Sequence, residues 1–128
     1  TRAIEDTDLL NYINDHRIPL EVCLTSNLNT RSVSSISAHP FKHYINEKIR
    51  VTLNTDNRLI SNTSLTKEFG LARDLFDFRL YDFREITIVA MKASFLPHIE
   101  RKLMIKDIAQ EFEKNFGILP EFVESGKN

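Results

Sequence analysis

An aspartate and an asparagine follow directly on a strongly β-prone segment of the chain. Residues 51–55 are apolar or β-branched for the most part, and the run stops at Asp56 and Asn57. Such a run is typical of a buried parallel strand. Ligands bind beyond the carboxyl ends of parallel strands, where strand ends and helix N-termini meet. There the Asp56 carboxylate could hold a hard or borderline cation, and the Asn57 amide could donate a hydrogen bond without needing a proton.

A simpler interpretation of the same pair is also open. Asp and Asn are common in tight turns, and their side-chain oxygens can cap the N-terminus of a following helix. In that case Asp56 and Asn57 would end the strand and start the next helix without binding anything. The pair by itself does not distinguish a ligand site from a turn, so the surrounding elements have to.

Hydrophobic periodicity and capping residues predict five helices and two strands. Asp6 is a candidate N-cap for the first helix, and Pro40 fits the first turn of the second. Asp82 and Glu85 are spaced like a capping box with Asp82 in the cap position, and Gly117 is a natural end for the last helix. The predicted helices cover residues 6–16, 40–47, 64–76, 82–94 and 99–116, the strands 20–24 and 50–55, the loops 29–37 and 56–63, and a frayed tail 121–128.

The alternation of helices and strands favours a parallel pair of strands joined by a right-handed crossover. The polar residues 25–27 would then share one rim with Asp56 and Asn57. Two short strands bury too little surface to stand alone, because ordering the backbone costs about 1–2 kcal/mol per residue. A (β/α)8 barrel takes typically about 250 residues. We therefore predict an α/β chain that forms the closing part of a TIM-type barrel, with residues 1–128 as a single partial domain.

The composition limits the class of protein and its partners. The 128 residues are 41% hydrophobic and 27% charged, as in a soluble globular domain, and the formal net charge is -1. This balance argues against a surface for nucleic acid or anionic membrane. Cys23 is the only cysteine, so no intrachain disulfide can form and a reducing, cytoplasmic location is expected. Residues 1–128 show no pattern of a signal peptide and no long apolar span, and the initial residue, Thr1, is expected to reflect processing or a piece of a longer chain.

Four segments resemble motifs of the adenosine deaminase family. Residues 20–27, LEVCLTSN, resemble the motif of its seventh strand, and residues 51–59, VTLNTDNRL, resemble that of its eighth. Residues 92–97, KASFLP, look like a segment near its C-terminus, and residues 1–6, TRAIED, look like the stretch that follows its sixth-strand G-H-G motif. The four occur in the family's order and at its spacing, so the chain resembles the C-terminal part of the barrel, with its last two parallel strands and the helices that follow.

The resemblance implies a zinc-dependent (β/α)8 barrel that converts adenosine to inosine and ammonia in purine salvage. In that family the zinc is held by two histidines of an H-x-H motif, a further histidine and the aspartate that ends the eighth strand, and it activates water for attack on purine C6. Asp56 matches that aspartate. Neither H-x-H nor the proton-handling H-A-G-E motif occurs in this sequence. The resemblance therefore places the catalytic residues in an N-terminal part of the barrel, which is the expected partner of this chain. Without that partner, this chain should be inactive.

Asn57 matches a residue that is a second aspartate in many members of the family, where it hydrogen-bonds N7 of the purine. That role needs a donor, so an aspartate must be protonated to fill it, whereas an asparagine donates at every pH. Asn57 is thus compatible with binding a purine nucleoside, although the departure leaves the strictness for adenosine open. Leu24 is a second departure, because the family often has proline after the cysteine.

The histidines and the cysteine offer further candidates for chemistry. His39 and His43 stand four residues apart, a spacing that could hold a metal on one helix face, but we expect that face to be a solvent-exposed barrel exterior. Cys23 could act as a nucleophile if a histidine base lay nearby, and a buried structural cysteine is the expectation. His16 and His98, the other two histidines, do not fall at a predicted strand end.

Two other functions stay open. Adenine or an adenosine nucleotide could be the substrate, with Arg58 and Arg31 as candidate phosphate contacts. Alternatively, the chain could be a non-catalytic binding or assembly module that retains a degenerate part of the barrel. We expect neither a nucleic-acid nor a membrane partner in any of these cases.

Overall fold

A computed structural model of the chain describes residues 1–117, so the predicted frayed tail at 121–128 lies outside the described residues. Within them the structure has eight regular elements and two short 3-10 turns, at Arg2–Glu5 and Ile36–Ala38. In chain order the elements are α1 (Thr7–Asp15), β1 (Leu20–Val22), α2 (Leu24–Asn29), α3 (Phe41–Asn46), β2 (Val51–Leu53), α4 (Leu65–Phe76), α5 (Leu80–Ala93) and α6 (His98–Phe116). No helix of this part combines the length and apolar character needed to cross a membrane.

The two strands pair in parallel, as the sequence predicts. Leu20 lies opposite Val51, and Val22 lies opposite Leu53. Two further backbone bonds of 2.8 Å extend the ladder, from Leu20 N to the Arg50 carbonyl and from Asn54 N to the Val22 carbonyl. Both carboxyl ends therefore lie at the same edge of the sheet, because the crossover through α2 and α3 returns the chain to its starting edge.

The core lies between the strands and the helices that follow them. Val51 is 1% exposed and Phe41 is fully buried, and the Phe41 ring lies 5.0 Å from that of Phe78 and 5.6 Å from that of Phe76. Burying one such side chain stabilises the fold by about 1.5–3 kcal/mol. Helix α5 packs against β2 on one side and against α6 on the other. This packing fixes the direction of β2 and so the place where the chain leaves it.

Local capping confirms several predicted helix ends and corrects one. Asp6 accepts a 3.0 Å bond from Leu9 N at the start of α1, and Gly117 ends α6 with a φ of 66°, as predicted. The prediction that Asp82 occupies the cap position of the fourth predicted helix is wrong, because that helix, α5, begins at Leu80. Asp82 lies in its first turn and accepts a 2.9 Å bond from Arg79 N. Its carboxylate therefore caps the helix from inside.

The first strand is shorter than predicted, and this changes the setting of its polar end. Residues 25–27 were expected as the irregular end of the strand, but they lie inside α2, which begins at Leu24. The side-chain oxygen of Asn27 accepts from Cys23 N at 3.4 Å, in the manner of a local turn. The polar groups of this segment are thus held on a helix N-terminus rather than on a loose strand end.

Candidate functional site

The sequence-predicted rim exists, and Asp56 lies on it three residues beyond the end of β2. Its φ of 51° is left-handed, a conformation that Asp adopts more readily than most residues. The Ser26 hydroxyl donates a 2.7 Å hydrogen bond to Asp56 Oδ2. Ser26 is buried on α2, so this bond joins the two strand ends across the rim.

One half of the Asp56 carboxylate is left unused by the protein. Ser26 occupies Oδ2, and among residues 1–117 no group donates a hydrogen bond to Oδ1. The side chain is exposed. A carboxylate with one oxygen fixed and the other without a donor is suited to binding a cation, because the fixed oxygen sets its orientation in advance.

Asn57 fills the turn-capping role that the sequence offered as one of two interpretations. Its Oδ1 accepts from Leu59 N at 3.1 Å and from Ile60 N at 3.0 Å, so it does cap the turn that follows. These bonds also assign the amide, because only its oxygen can accept from two backbone N–H groups. Within the described part of the chain, the Asn57 NH2 group donates to no acceptor. The turn therefore holds Asn57 with its donor group available.

A buried carboxylate below the rim, Glu68 of α4, is a residue that sequence reasoning missed. Glu68 is fully buried. Its Oε1 accepts from the hydroxyls of Thr25 and Thr63, the latter at 2.7 Å, and its Oε2 accepts from Thr25 N at 3.2 Å. The sequence does contain a signal for this burial, which is helical spacing. Glu68 lies one turn before Ala72 and two turns before Phe76, so all three share the buried face of α4.

His39 is buried, so the prediction that it lies on a solvent-exposed face is wrong, whereas His43 is exposed. His39 Nε2 bonds to Asn27 Oδ1 at 3.0 Å, and Phe41 N donates to His39 Nδ1 at 3.0 Å. This pattern requires the neutral ring with its proton on Nε2. Burial lowers the pKa of His39 to about 4. The ring is therefore a satisfied structural group and not half of a metal pair with His43.

Cys23 lies just after β1 and is partly buried. Burial raises the pKa of its thiol, and the carboxylates of Asp56 and Glu68 add to that effect. A thiol that stays protonated is a poor nucleophile. The environment of Cys23 thus supports the expected structural role.

Asp56 also borders a cavity of about 630 Å³. Cavities that bind small molecules have volumes of about 300–1,000 Å³, so its size suits a ligand of nucleoside dimensions. Arg58 lines this cavity, whereas Arg31, the other predicted phosphate contact, does not. The other walls of the cavity come from the end of β2, the start of α4 and the middle of α5. The residues that line them are Leu53, Asn54, Thr55, Ser64, Leu65, Thr66, Phe69, Ile86, Thr87 and Ala90.

Residues 1–117 contain no cluster of three His, Cys, Asp or Glu side chains that could bind a metal. The described residues offer one possible zinc ligand, which is the Asp56 carboxylate oxygen that accepts no hydrogen bond from them. A carboxylate oxygen is an ordinary zinc ligand at about 2.0–2.2 Å. This chain could therefore contribute one ligand to a site completed by other polypeptide.

Comparison with known proteins places the chain in one family. The family model described as adenosine deaminase matches residues 1–111. An adenosine deaminase of Mycobacterium sp. (strain KMS) is 45% identical over 100 residues, which are 78% of this chain and 28% of that protein. The chain thus spans under a third of the length of this curated relative.

Solved structures agree on the fold. An adenine deaminase from Arthrobacter aurescens superposes with a TM-score of 0.83 at 20% identity, over 88% of this chain and 34% of that one. Arabidopsis ADAL in complex with IMP superposes with a TM-score of 0.77 at 27% identity, over 84% of this chain and 32% of that one. These are barrel deaminases, and the chain has the fold of the last two strands of such a barrel and the helices after them.

Proposed function

The chain belongs to the adenosine deaminase family, and from that premise we propose that it supplies the C-terminal part of a zinc-dependent barrel that hydrolyses adenosine to inosine and ammonia in purine salvage. Residues 1–128 would form one partial domain. The observation that carries the proposal is the Asp56 carboxylate, fixed by Ser26 through one oxygen and unoccupied at the other, on the rim where strand ends meet.

We assign Asp56 as a zinc ligand. Bound zinc would supply the Lewis acidity that makes water a nucleophile at neutral pH. Asp56 is aimed by the Ser26 hydroxyl and by its own left-handed backbone, both of which exist before any cation binds. A ligand oriented in advance binds more tightly, because less conformational freedom is lost on binding.

We assign Asn57 to binding the purine nucleoside. Its oxygen is held by two backbone N–H groups, and the opposite side of the same planar amide presents two N–H donors. An acceptor such as purine N7 is matched by one of these donors at any pH. The side chain would orient the base without contributing to proton transfer.

The remaining machinery would come from the N-terminal part of the barrel, which is the proposed partner of this chain. That part would provide the three histidine ligands and the proton-handling glutamate implied by the family resemblance. The chain alone should then show no deaminase activity. We propose a cytoplasmic location for the assembled enzyme, in keeping with a single cysteine that cannot form an intrachain disulfide.

A chimeric enzyme tests the proposal directly. The matching segment of the Mycobacterium sp. (strain KMS) deaminase is replaced by this chain to give one polypeptide, here called the chimera, and the unaltered relative serves as control. We expect the chimera to fold, to bind zinc and to convert adenosine. The conversion is monitored as a loss of ultraviolet absorbance by adenosine. A folded, zinc-loaded chimera without turnover of adenosine or a related purine would contradict the proposal and favour a non-catalytic module. If the chimera does not fold, exchanging only residues 20–68 repeats the test with both strands and the rim intact.

A nucleotide substrate is the second candidate, and Arg58 favours it. Arg58 borders the same cavity as Asp56, where its guanidinium could bind a 5′-phosphate. The structure of ADAL with IMP shows that a barrel of this fold can hold a purine nucleotide. Turnover rates of the chimera on adenosine, adenine and adenosine monophosphate distinguish these substrates. A preference for the monophosphate that disappears in Arg58→Ala would support the nucleotide.

A further inference from the structure

We infer that Glu68 is a positioning residue of the cation site, which it holds in place through Thr25 and Ser26. The inference rests on the proposed function, because it concerns how Asp56 is aimed at zinc. Glu68 belongs to α4, an element that does not itself reach the unoccupied Asp56 oxygen in any described hydrogen bond. Its effect would therefore be transmitted through the protein.

The bonds of Glu68 lie on the structure that carries Ser26. Both oxygens of the carboxylate bind Thr25, one at its hydroxyl and the other at its backbone N–H. Thr25 directly precedes Ser26, whose hydroxyl donates to Asp56 Oδ2 at 2.7 Å. A two-point attachment fixes Thr25 in orientation as well as in position, and so restrains the next residue, Ser26. The chain of contacts is thus Glu68 to Thr25, Thr25 to Ser26, and Ser26 to Asp56.

The third bond of Glu68 reaches the other side of the rim. The Thr63 hydroxyl donates to Oε1 at 2.7 Å, and Thr63 is itself buried. Thr63 lies near the end of the loop that joins β2 to α4 and also contains Asp56. One buried carboxylate therefore connects the segment after β1 with the loop after β2, which are the two segments that form the site.

The charge of Glu68 also suits a cation at the rim. The side chain is fully buried, and none of the ion pairs among residues 1–117 includes it. Glu68 and Asp56 both act electrostatically on the same thiol, Cys23, so the two carboxylates lie in one neighbourhood. Buried charges are normally paired or coordinate metals. A zinc ion bound at Asp56 would place a positive charge in the same neighbourhood as Glu68.

Zinc affinity of the chimera, measured by chelator competition, tests the role apart from activity. Glu68→Gln removes the negative charge of the acceptor, and its NH2 group either faces the Thr25 N–H donor or requires the Thr25 and Thr63 hydroxyls to turn round and accept. We expect zinc to bind about 10–100-fold more weakly, the usual effect of removing a group that supports a metal ligand. Ser26→Ala should weaken binding by a similar factor. An unchanged affinity in folded Glu68→Gln would overturn the inference.

A double mutant separates positioning from general stability. If Glu68 acts through Ser26, the variant with both Glu68→Gln and Ser26→Ala should have about the same zinc affinity as the single variant that binds zinc more weakly. The reason is that the effects of coupled residues are not additive. If the two losses multiply, Glu68 does not act by this route and the inference fails. As a matched control, Asp6→Ala removes the cap of a remote helix, so it should lower the melting temperature while leaving zinc affinity unchanged.

Thr63 keeps the test decisive if Glu68→Gln does not fold. Thr63→Val keeps the shape and removes the donor to Glu68, whereas Thr63→Ser keeps the donor. We expect weaker zinc binding in the first variant and near-normal binding in the second, and equal affinities would count against the inference.

Asp56→Asn distinguishes a failure of the positioning role from a failure of the proposed zinc ligand. If Asp56→Asn loses zinc and the Glu68 and Thr63 variants do not, only the positioning role is wrong; if Asp56→Asn binds zinc normally, the proposed metal ligand itself is wrong.

Discussion

Two polar clusters lie near the strand ends, and they use their hydrogen-bonding groups in opposite ways. In the first, His39 is buried, and both of its ring nitrogens are bonded within the protein, to Asn27 and to Phe41 N. In the second, Asp56 and Asn57 are exposed, and each has one side of its polar group held while the other has no partner within residues 1–117. A buried unpaired group costs about 1–3 kcal/mol, so a structural cluster is closed. The open cluster is the one that can bind a ligand.

Asp56→Asn is the substitution with the largest expected effect, because it should abolish function and leave the fold unchanged. Asparagine retains an oxygen that can accept from Ser26 and also tolerates the left-handed backbone. Stability should therefore change by less than about 0.5 kcal/mol. Loss of an anionic zinc ligand removes several kcal/mol of stabilisation, which corresponds to a fall of about 1,000-fold or more in kcat/KM. Zinc content and turnover of the chimera, measured beside its thermal melt, give the result. Wild-type turnover in the variant would show that Asp56 is not a ligand.

The second largest expected effect is a pH dependence of the free energy of unfolding, which arises from His39 in the closed cluster. Burial lowers the folded pKa of His39 from 6.5 to about 4, so the folded state favours the neutral ring. The stabilisation is fully present above pH 6.5 and is lost as the pH falls towards 4, because the unfolded chain binds the proton first. The total loss is about 3 kcal/mol, from the size of the pKa difference. Urea unfolding of the chimera between pH 7.5 and 4.5 measures most of this loss.

Histidine substitutions provide the control for that pH dependence. His39→Gln should remove the part of the slope between pH 6.5 and 4 that this ring contributes. His43→Gln should keep it, since His43 lies only four residues further on, in α3, but is exposed. Equal slopes in both variants would show that His39 does not titrate with folding in this way.

Local sequence signals predicted the frame of the site but not the groups that hold it. Predicted helices begin at Asp6 and Ser64, and in the structure each of these side chains accepts from a backbone N–H three residues ahead. Asp56 was recognisable because a hydrophobic strand ends beside it. Glu68 bonds to Thr25, which lies 43 residues away in sequence, and no local pattern reports such a contact. The one clue was an acidic residue on the buried face of α4.

His39 shows the same limit from the opposite direction. Its spacing from His43 suggested an exterior helix face, but α3 begins at Phe41, so His39 precedes the helix and its side chain is not on that face. Its partner, Asn27, lies 12 residues earlier on α2. Which polar residues become buried depends on how non-adjacent elements pack, and the sequence pattern contains that information only weakly.

Asn57→Ala should have the smallest effect of the three, and it separates the two roles of that side chain. Loss of one donor to the purine removes about 0.5–1.5 kcal/mol, which raises KM by about 3–10-fold. Zinc content should not change, because the assigned ligand is the neighbouring Asp56. Loss of the turn bonds to Leu59 N and Ile60 N should lower the melting temperature slightly. A lower melting temperature with an unchanged KM would mean that Asn57 serves only the turn.

The zinc-edge anomalous map of the crystallised chimera tests the central claim most directly. The claim is that the oxygen of Asp56 left unused by the protein binds the metal, while Ser26 holds the other oxygen. We predict a zinc peak with an Asp56 carboxylate oxygen at about 2.0–2.2 Å, the usual length of a zinc–carboxylate bond. A fully occupied zinc site in which the Asp56 carboxylate points away and another residue completes the coordination would contradict the account.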